Sequence, residues 1–230
     1  MKKDTCVLPP RLPGRKSAQQ TGGDTEVMSF PNFKFESQAL NSGHTIICGI
    51  DEAGRGPWAG PVVASAVILD PKNIPQGLND SKKLNEPKRE ALFDPIIQSS
   101  HVGIGIVSAV EIDEINILQA TFLAMQRAFE QLEIKPDLAL IDGNKSPKLN
   151  CKTQTIIGGD ALSLSIAAAS IIAKVTRDRI MHQHDQTYPH YGFGKHKGYG
   201  TAAHAAALAI HGPCAEHRKS FKPIALLLSR

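Results

Sequence analysis

The chain has 230 residues, a net charge of +4, 41% apolar residues and few aromatics. That is long enough to bury a substantial core, and the aliphatic, Ala-rich composition suits one soluble α/β domain with appendages. Cys6, Cys48, Cys151 and Cys214 form no CxxC pair, which argues against a disulfide framework or a cysteine zinc site and for reduced thiols in a cytoplasmic protein.

Residues 1–42 are rich in Pro, Gly, Gln, Ser and charge and show no period, so they read as a disordered N-terminal extension. They lack the continuous apolar region of a secretory signal. From His44 the pattern changes. A strand is expected at about 45–50 and a second, almost wholly apolar one over Pro61–Leu69. A polar turn follows at Asn79–Lys83, and Asn85 is placed to cap a helix through about Gln98, with Glu86 and Pro87 in its first turn. Val102–Val107 reads as a third strand whose glycines allow close backbone approach. Ser108 and Glu111 form a capping box that opens a helix to about Glu133. Its apolar positions Ile112, Ile115, Leu118, Phe122, Met125 and Phe129 recur at three- and four-residue steps.

Pro136 leads into a fourth strand, Leu138–Ile141, and a fifth is expected at about Thr153–Ile157. An Ala- and Ile-rich helix then runs from Asp160 to about His184. Its most apolar part, Ala161–Ala173, is too short and serine-rich to span a bilayer. A further helix starts at Thr201 and is stopped by Gly212-Pro213. Three early strands followed by helix–strand alternation predict a mixed five-stranded sheet. Its early strands form an antiparallel meander, its later strands are parallel, and helices flank both faces.

From Lys174 onward nine Lys/Arg stand against three Asp/Glu, with seven of the nine histidines. A basic end beside an acidic centre suggests a polyanionic ligand with cations between it and the carboxylates. The acids fall at element ends: Asp51 and Glu52 after the first strand, Asp142 after the fourth, Asp160 where the last helix begins. Taken singly, Asp160 reads as a helix cap and Asp142, before Gly143, as a turn residue. If the first and fourth strands are neighbours, Asp51 and Asp142 face each other and Asp160 closes a cluster. Grouped carboxylates repel and raise one another's pKa unless cations neutralise them. Oxygen-only ligation fits Mg²⁺ or Mn²⁺, two of which form a clamp for phosphoryl transfer. The histidines show no metal-ligand spacing and are expected mostly at the surface or against nucleic acid.

The segments GIDEAGRGPWAGPVVASAVIL, DSKKL, IDGN, GGDALSLSIAAASIIAKVTRDR and YGFGKHKGYGTAAH…HGPCAEHRKSF together resemble bacterial ribonuclease HII, the type 2 ribonuclease H, over about 44–224. The resemblance implies a ribonuclease H-like core, 43–185, and a C-terminal helical substrate-binding region, 186–230, packed on it. It implies an endoribonuclease acting on the RNA strand of RNA–DNA hybrids and 5′ of ribonucleotides embedded in duplex DNA. The products would be 3′-hydroxyl and 5′-phosphate ends, as in primer and ribonucleotide removal during DNA replication and repair. The family's catalytic, metal-binding carboxylates fall on Asp51, Glu52, Asp142 and Asp160. Its glycine-arginine-glycine loop falls on Gly54, Arg55 and Gly56, where backbone would contact the 2′-OH that distinguishes RNA from DNA. Its junction-reading tyrosine corresponds to Tyr199, with Tyr191 the competing position. Ser81, Lys82, Lys83, Lys195, Lys197 and Arg218 match phosphate-contacting positions, each also readable as a solvated polar residue. Trp58 reads as packing beside the loop. The implied partners are RNA–DNA hybrids and ribonucleotide-containing duplexes, with no membrane and a monomeric protein.

Overall fold

A computed structural model describes residues 30–229. The predicted extension over 1–42 lies outside the described residues up to 29. Its last part is helix α1, Lys34–Asn41, which buries Ala39 and Glu36. The polar composition concealed this helix because its anchor is itself polar. Glu36 is 1% exposed, and its Oε1 accepts from the Ser163 hydroxyl and from the amide and hydroxyl of Ser165.

Five strands follow: β1 Ile47–Ala53, β2 Val62–Leu69, β3 Ser100–Val107, β4 Leu138–Asp142 and β5 Lys152–Ile156. They form one sheet in the order β3-β2-β1-β4-β5. The pairs β1–β2 and β2–β3 are antiparallel, whereas β1–β4 and β4–β5 are parallel. The mixed sheet read from the sequence is therefore present, with β1 at the centre. The near-continuous apolar run of β2 follows from helices on both of its faces.

Strand alternation assigns the faces. Cys48, Ile50, Ala139 and Ile141 point to one side and pack with helix α3, Ala109–Glu130. Ile47, Leu138, Leu140 and Ile156 point to the other, where Ile166 of helix α4, Leu164–Thr187, meets them. Helix α2, Glu86–Ser99, joins α4 on that side. Both long helices lie directly on backbone. A Cβ added at Gly105 would sit 1.9 Å from the Ala124 carbonyl oxygen, and one at Gly49 would sit 2.2 Å from the Ser165 carbonyl carbon. The close approach expected from the glycines of β3 is thus real.

The caps hold where the sequence placed them. Asn85 accepts from the Lys88 amide, both arms of the Ser108–Glu111 box are formed, and Thr201 caps helix α6, Ala202–His211. Helix α5, Phe193–His196, precedes α6, and helix α7, Lys222–Leu228, ends the described chain. Two expectations are corrected. The helix after Ser108 is kinked at Asn116, at φ +65°, whose side chain caps the second segment through the amides of Leu118 and Gln119. Asp160 does not begin α4. It sits in a 3₁₀ turn, Gly159–Ala161, and Ser163 caps α4 instead. Among the described residues no helix is long and apolar enough to cross a membrane.

Candidate active site

The register Ile50↔Ile141 between parallel β1 and β4 sets Asp51 beside Asp142 at the strands' carboxyl ends. By alternation both face the α4 side. The short turn after β5 brings Asp160 onto the same side. Each of these three aspartates offers one oxygen lying within 4.8 Å of the others'. Asp51 Oδ1 accepts from the Glu52 amide at 2.7 Å, and Asp142 Oδ1 accepts from the Gly159 amide at 2.7 Å. Asp160 Oδ2 lies 3.2 Å from Lys82 Nζ. Glu52, the next residue of β1, stands outside this group of three and pairs with Arg55 at 3.4 Å, but its carboxyl is close enough for its charge to act on Asp51.

The electrostatics follow from this crowding. Burial, then the charges of Glu52 and Asp142, push Asp51 well above the ordinary carboxylate range. Burial also raises Glu52, opposed by Arg55, and Asp160, opposed by Lys82. The donor set is all oxygen and short of positive charge, which fits hard divalent cations.

The glycine-arginine-glycine loop follows β1 at once. Gly54 has φ +100°, and a Cβ there would lie 2.1 Å from Arg177 Nε and 2.7 Å from the Pro61 carbonyl oxygen. The loop's carbonyls turn inward onto two buried arginines. Arg218, 0% exposed, donates to the carbonyl oxygens of Gly54 (2.6 Å), Arg55 (3.0 Å), Pro57 (2.8 Å), Gly60 (2.9 Å) and Pro61 (3.1 Å). Arg177 of α4 donates to Pro61 at 2.9 Å and Ala59 at 3.2 Å. Burial lowers these guanidinium groups to about 9 and about 10, so both stay charged at neutral pH. With the carbonyls engaged, the amides of Arg55 and Gly56 meet no protein acceptor among the described residues. Arg218 is therefore a bracket for the loop rather than the phosphate ligand expected from the sequence. Arg177 was missed because a basic residue on an Ala-rich helix gives no sign of which way it points.

Tyr199 is half-exposed, and its Cε1 would be 3.6 Å from a Cβ placed on Gly56. Tyr191 is core: 5% exposed, stacked on Phe193 and donating its hydroxyl to the Gly212 carbonyl at 2.7 Å. Trp58 packs as expected, its ring 5.5 Å from that of His204 and directly against Gly200. Lys82, Lys83 and Lys195 are exposed. Ser81 and Lys197 are not. The Ser81 hydroxyl is spent on Ser170 at 2.7 Å, and the Lys197 ammonium on His182 at 2.8 Å. Most histidines are exposed or partly exposed, as expected, but His204 and His217 are buried, at 0% and 1%.

A family model described as Ribonuclease HII matches residues 48–224. The ribonuclease HII of Parvibaculum lavamentivorans is 52% identical over 223 residues, covering 96% of this chain and 81% of that protein. That of Magnetococcus marinus is 56% identical over 203 residues, covering 86% and 95%. The crystal structure of ribonuclease H2 from Pyrococcus horikoshii OT3 superposes with a TM-score of 0.68 at 29% identity, covering 81% of this chain and 98% of that one. With its ribonuclease H-like sheet and acidic strand ends, the chain belongs to the ribonuclease HII family, endonucleases that degrade the RNA of RNA–DNA hybrids.

Proposed function

We propose that the protein also cleaves on the 5′ side of single ribonucleotides embedded in duplex DNA, using two divalent cations, Mg²⁺ or Mn²⁺. The observation that carries the reading is the placement of the aspartate group and an exposed tyrosine around one short segment, Asp51–Gly56. Asp51, Asp142 and Asp160 hold the cations, and Glu52, one residue along the same strand, completes the ligand set. When bound, the cations supply Lewis acidity that favours deprotonation of an attacking water and neutralises charge on the departing oxygen. Everything else is done by the chain. Water adds to phosphorus, the P–O3′ bond breaks, and the ends are a 3′-hydroxyl and a 5′-phosphate.

The free amides of the Gly54–Gly56 loop donate to the ribose 2′-OH, the group that marks one nucleotide as RNA. Tyr199 stacks against the deoxyribose on the 3′ side. Arg55, Lys82, Lys83 and Lys195 approach backbone phosphates, contacts that position without reading sequence. Lys82 has a second task. In the absence of cations its ammonium partly neutralises Asp160, and it becomes available to a phosphate once a metal takes over that role. Ser81, Lys197 and Arg218 act through the shape of the site. The enzyme works as a cytoplasmic monomer.

The test is a DNA duplex carrying one ribonucleotide, compared with its all-DNA twin, with and without Mg²⁺ or Mn²⁺. Cutting of the first alone, only with metal, is the expected result. Equal cutting of both duplexes would refute the role given to the 2′-OH.

A further inference from the structure

The buried histidines have tautomers set by their partners. The Cys214 amide donates to His217 Nδ1 at 2.9 Å, so the His217 proton sits on Nε2. The Cys214 thiol, 3.2 Å away, offers that same nitrogen a second donor. His217 Nε2–H donates to His204 Nε2 at 3.0 Å, which leaves the His204 proton on Nδ1. There it meets the backbone carbonyl oxygen of Tyr199 at 3.0 Å. His196 is oriented in the same manner. It accepts from the Gly198 amide at 3.2 Å, donates to the Tyr191 carbonyl at 2.7 Å, and stacks on His204 with centroids 4.5 Å apart. The result is a one-way chain of neutral donors from Cys214 through His217 and His204 to Tyr199. Burial holds both rings of the pair neutral, lowering His204 and taking His217 down to about 4.

This chain of bonds links the two halves of the proposed junction site. Tyr199 carries the ring beside Gly56. His217 directly precedes Arg218, whose guanidinium gathers the carbonyls of the Gly54–Pro61 segment. Trp58 closes the circuit, since its amide donates to the Gly198 carbonyl and its carbonyl accepts from the Arg218 amide, both at 2.8 Å.

We propose that His204 and His217 are positioning residues for junction recognition: their directed hydrogen bonds fix the Tyr199 backbone relative to the Gly54–Gly56 loop, so ring and loop meet the same nucleotide step. This rests on the assignment of Tyr199 and the loop to the ribonucleotide junction. Neither imidazole touches substrate. The selectivity they confer comes from geometry, which matters because a displacement of about 1 Å can cost on the order of 100-fold in rate.

Two small polar substitutions separate the two bonds of His204. Asn places its amide N–H near the Nδ1 position and keeps the donor to Tyr199. Gln places its amide oxygen near Nε2, where it accepts from His217 Nε2–H, and leaves the Tyr199 carbonyl without its donor. The measurement is the ratio of kcat/KM on a single-ribonucleotide duplex to that on a continuous RNA–DNA hybrid. His204→Gln is expected to lower this ratio by roughly 10-fold, mainly through kcat, and His204→Asn by no more than about 3-fold. His217→Gln, which can still donate to His204, should stay near wild type. Equal ratios in the two His204 variants, or parallel losses on both substrates that follow the melting temperature, would overturn the proposal.

A measurement on the unaltered protein stands whether or not the variants fold. Imidazole ¹⁵N shifts should show unprotonated nitrogens at His217 Nδ1 and His204 Nε2, and protonated ones at His217 Nε2 and His204 Nδ1. The reverse tautomers would sink the relay. Failure of the underlying reading looks different: a Tyr199→Ala enzyme with undiminished preference for the ribonucleotide junction would remove Tyr199 from the site while leaving the tautomers as assigned.

Discussion

Asp51 shows how a proposed metal ligand works against the fold that holds it. Buried at 3% exposure among Glu52, Asp142 and Asp160, it is stabilised by one amide and opposed by every neighbouring carboxylate. Asp51→Asn keeps an oxygen for the Glu52 amide and removes the repulsion. In metal-free buffer this variant should melt several degrees higher than wild type, consistent with about 1 kcal/mol or more of relieved strain. The same variant should bind hybrid but not cleave it, and should lose most of the rise in melting temperature that Mg²⁺ or Mn²⁺ produces. Calorimetry with and without metal checks both. An unchanged metal-free melting point would contradict the electrostatic account. Gly54 and Gly56 divide along a similar line. A methyl at Gly54 collides with the Arg177 side chain at positive φ, so Gly54→Ala should lower stability by about 2 kcal/mol or more. At Gly56 the nearest atom is Tyr199 Cε1 at 3.6 Å, so Gly56→Ala should melt like wild type yet lose most cleavage at single ribonucleotides. Melting curves and initial rates measured together distinguish the two.

At the scale of elements, the loop and the C-terminal segment form one hydrogen-bonded unit, and its buried histidines make it sensitive to acid. The His217 pKa is about 4 in the folded protein against 6.5 for a free imidazole. The unfolded chain therefore takes up a proton first. This contribution to stability is complete above pH 6.5 and is lost as pH falls towards 4. The raised carboxylates of the aspartate group act in the opposite sense, because protonating them relieves repulsion. The Glu111 carboxyl, lowered to about 2 by Arg127 and Ser108, gives way only at still lower pH. The comparison that isolates His217 is between wild type and His217→Gln. Their difference in urea midpoint should change between pH 7.5 and pH 4.5, with wild type losing more. A constant difference would mean that His217 is not held neutral.

At the scale of the whole molecule, α1 binds the start of the described chain to the start of α4. Its Glu36 accepts from Ser163, which caps α4, and from Ser165, which lies against Gly49 of β1. A chain beginning at residue 43 should therefore be less stable than one beginning at residue 30, by about 2 kcal/mol or more. Leaving Ser163 and Ser165 without their acceptor accounts for a large part of that loss. Equal unfolding midpoints for the two truncations would show that α1 contributes nothing. Because the α4 start also follows the Asp160 turn, the shorter chain is expected to lose metal-induced stabilisation as well.

Much of this was legible along the chain because the signals are local. Capping residues, the 3.6-residue and two-residue periods, and acids at element ends are all set by near neighbours, and they yielded the mixed sheet and the candidates Asp51, Glu52, Asp142 and Asp160. The family resemblance supplied the remaining proposed site residues, including Tyr199 over Tyr191. What sequence could not decide is the direction of each side chain. Arg218 and Lys195 are both basic, but one is wholly buried beneath the loop and the other faces solvent. His204 and His217, thirteen residues apart, became a hydrogen-bonded pair only when α6 and the turn after it closed over Trp58. Arg55 pairs with Glu52 while Asp51 turns to Asp142 and Asp160, and a serine-held glutamate made residues 34–41 part of the fold. Local spacing determines which elements form, whereas burial of a polar group depends on partners that only the folded chain brings within reach.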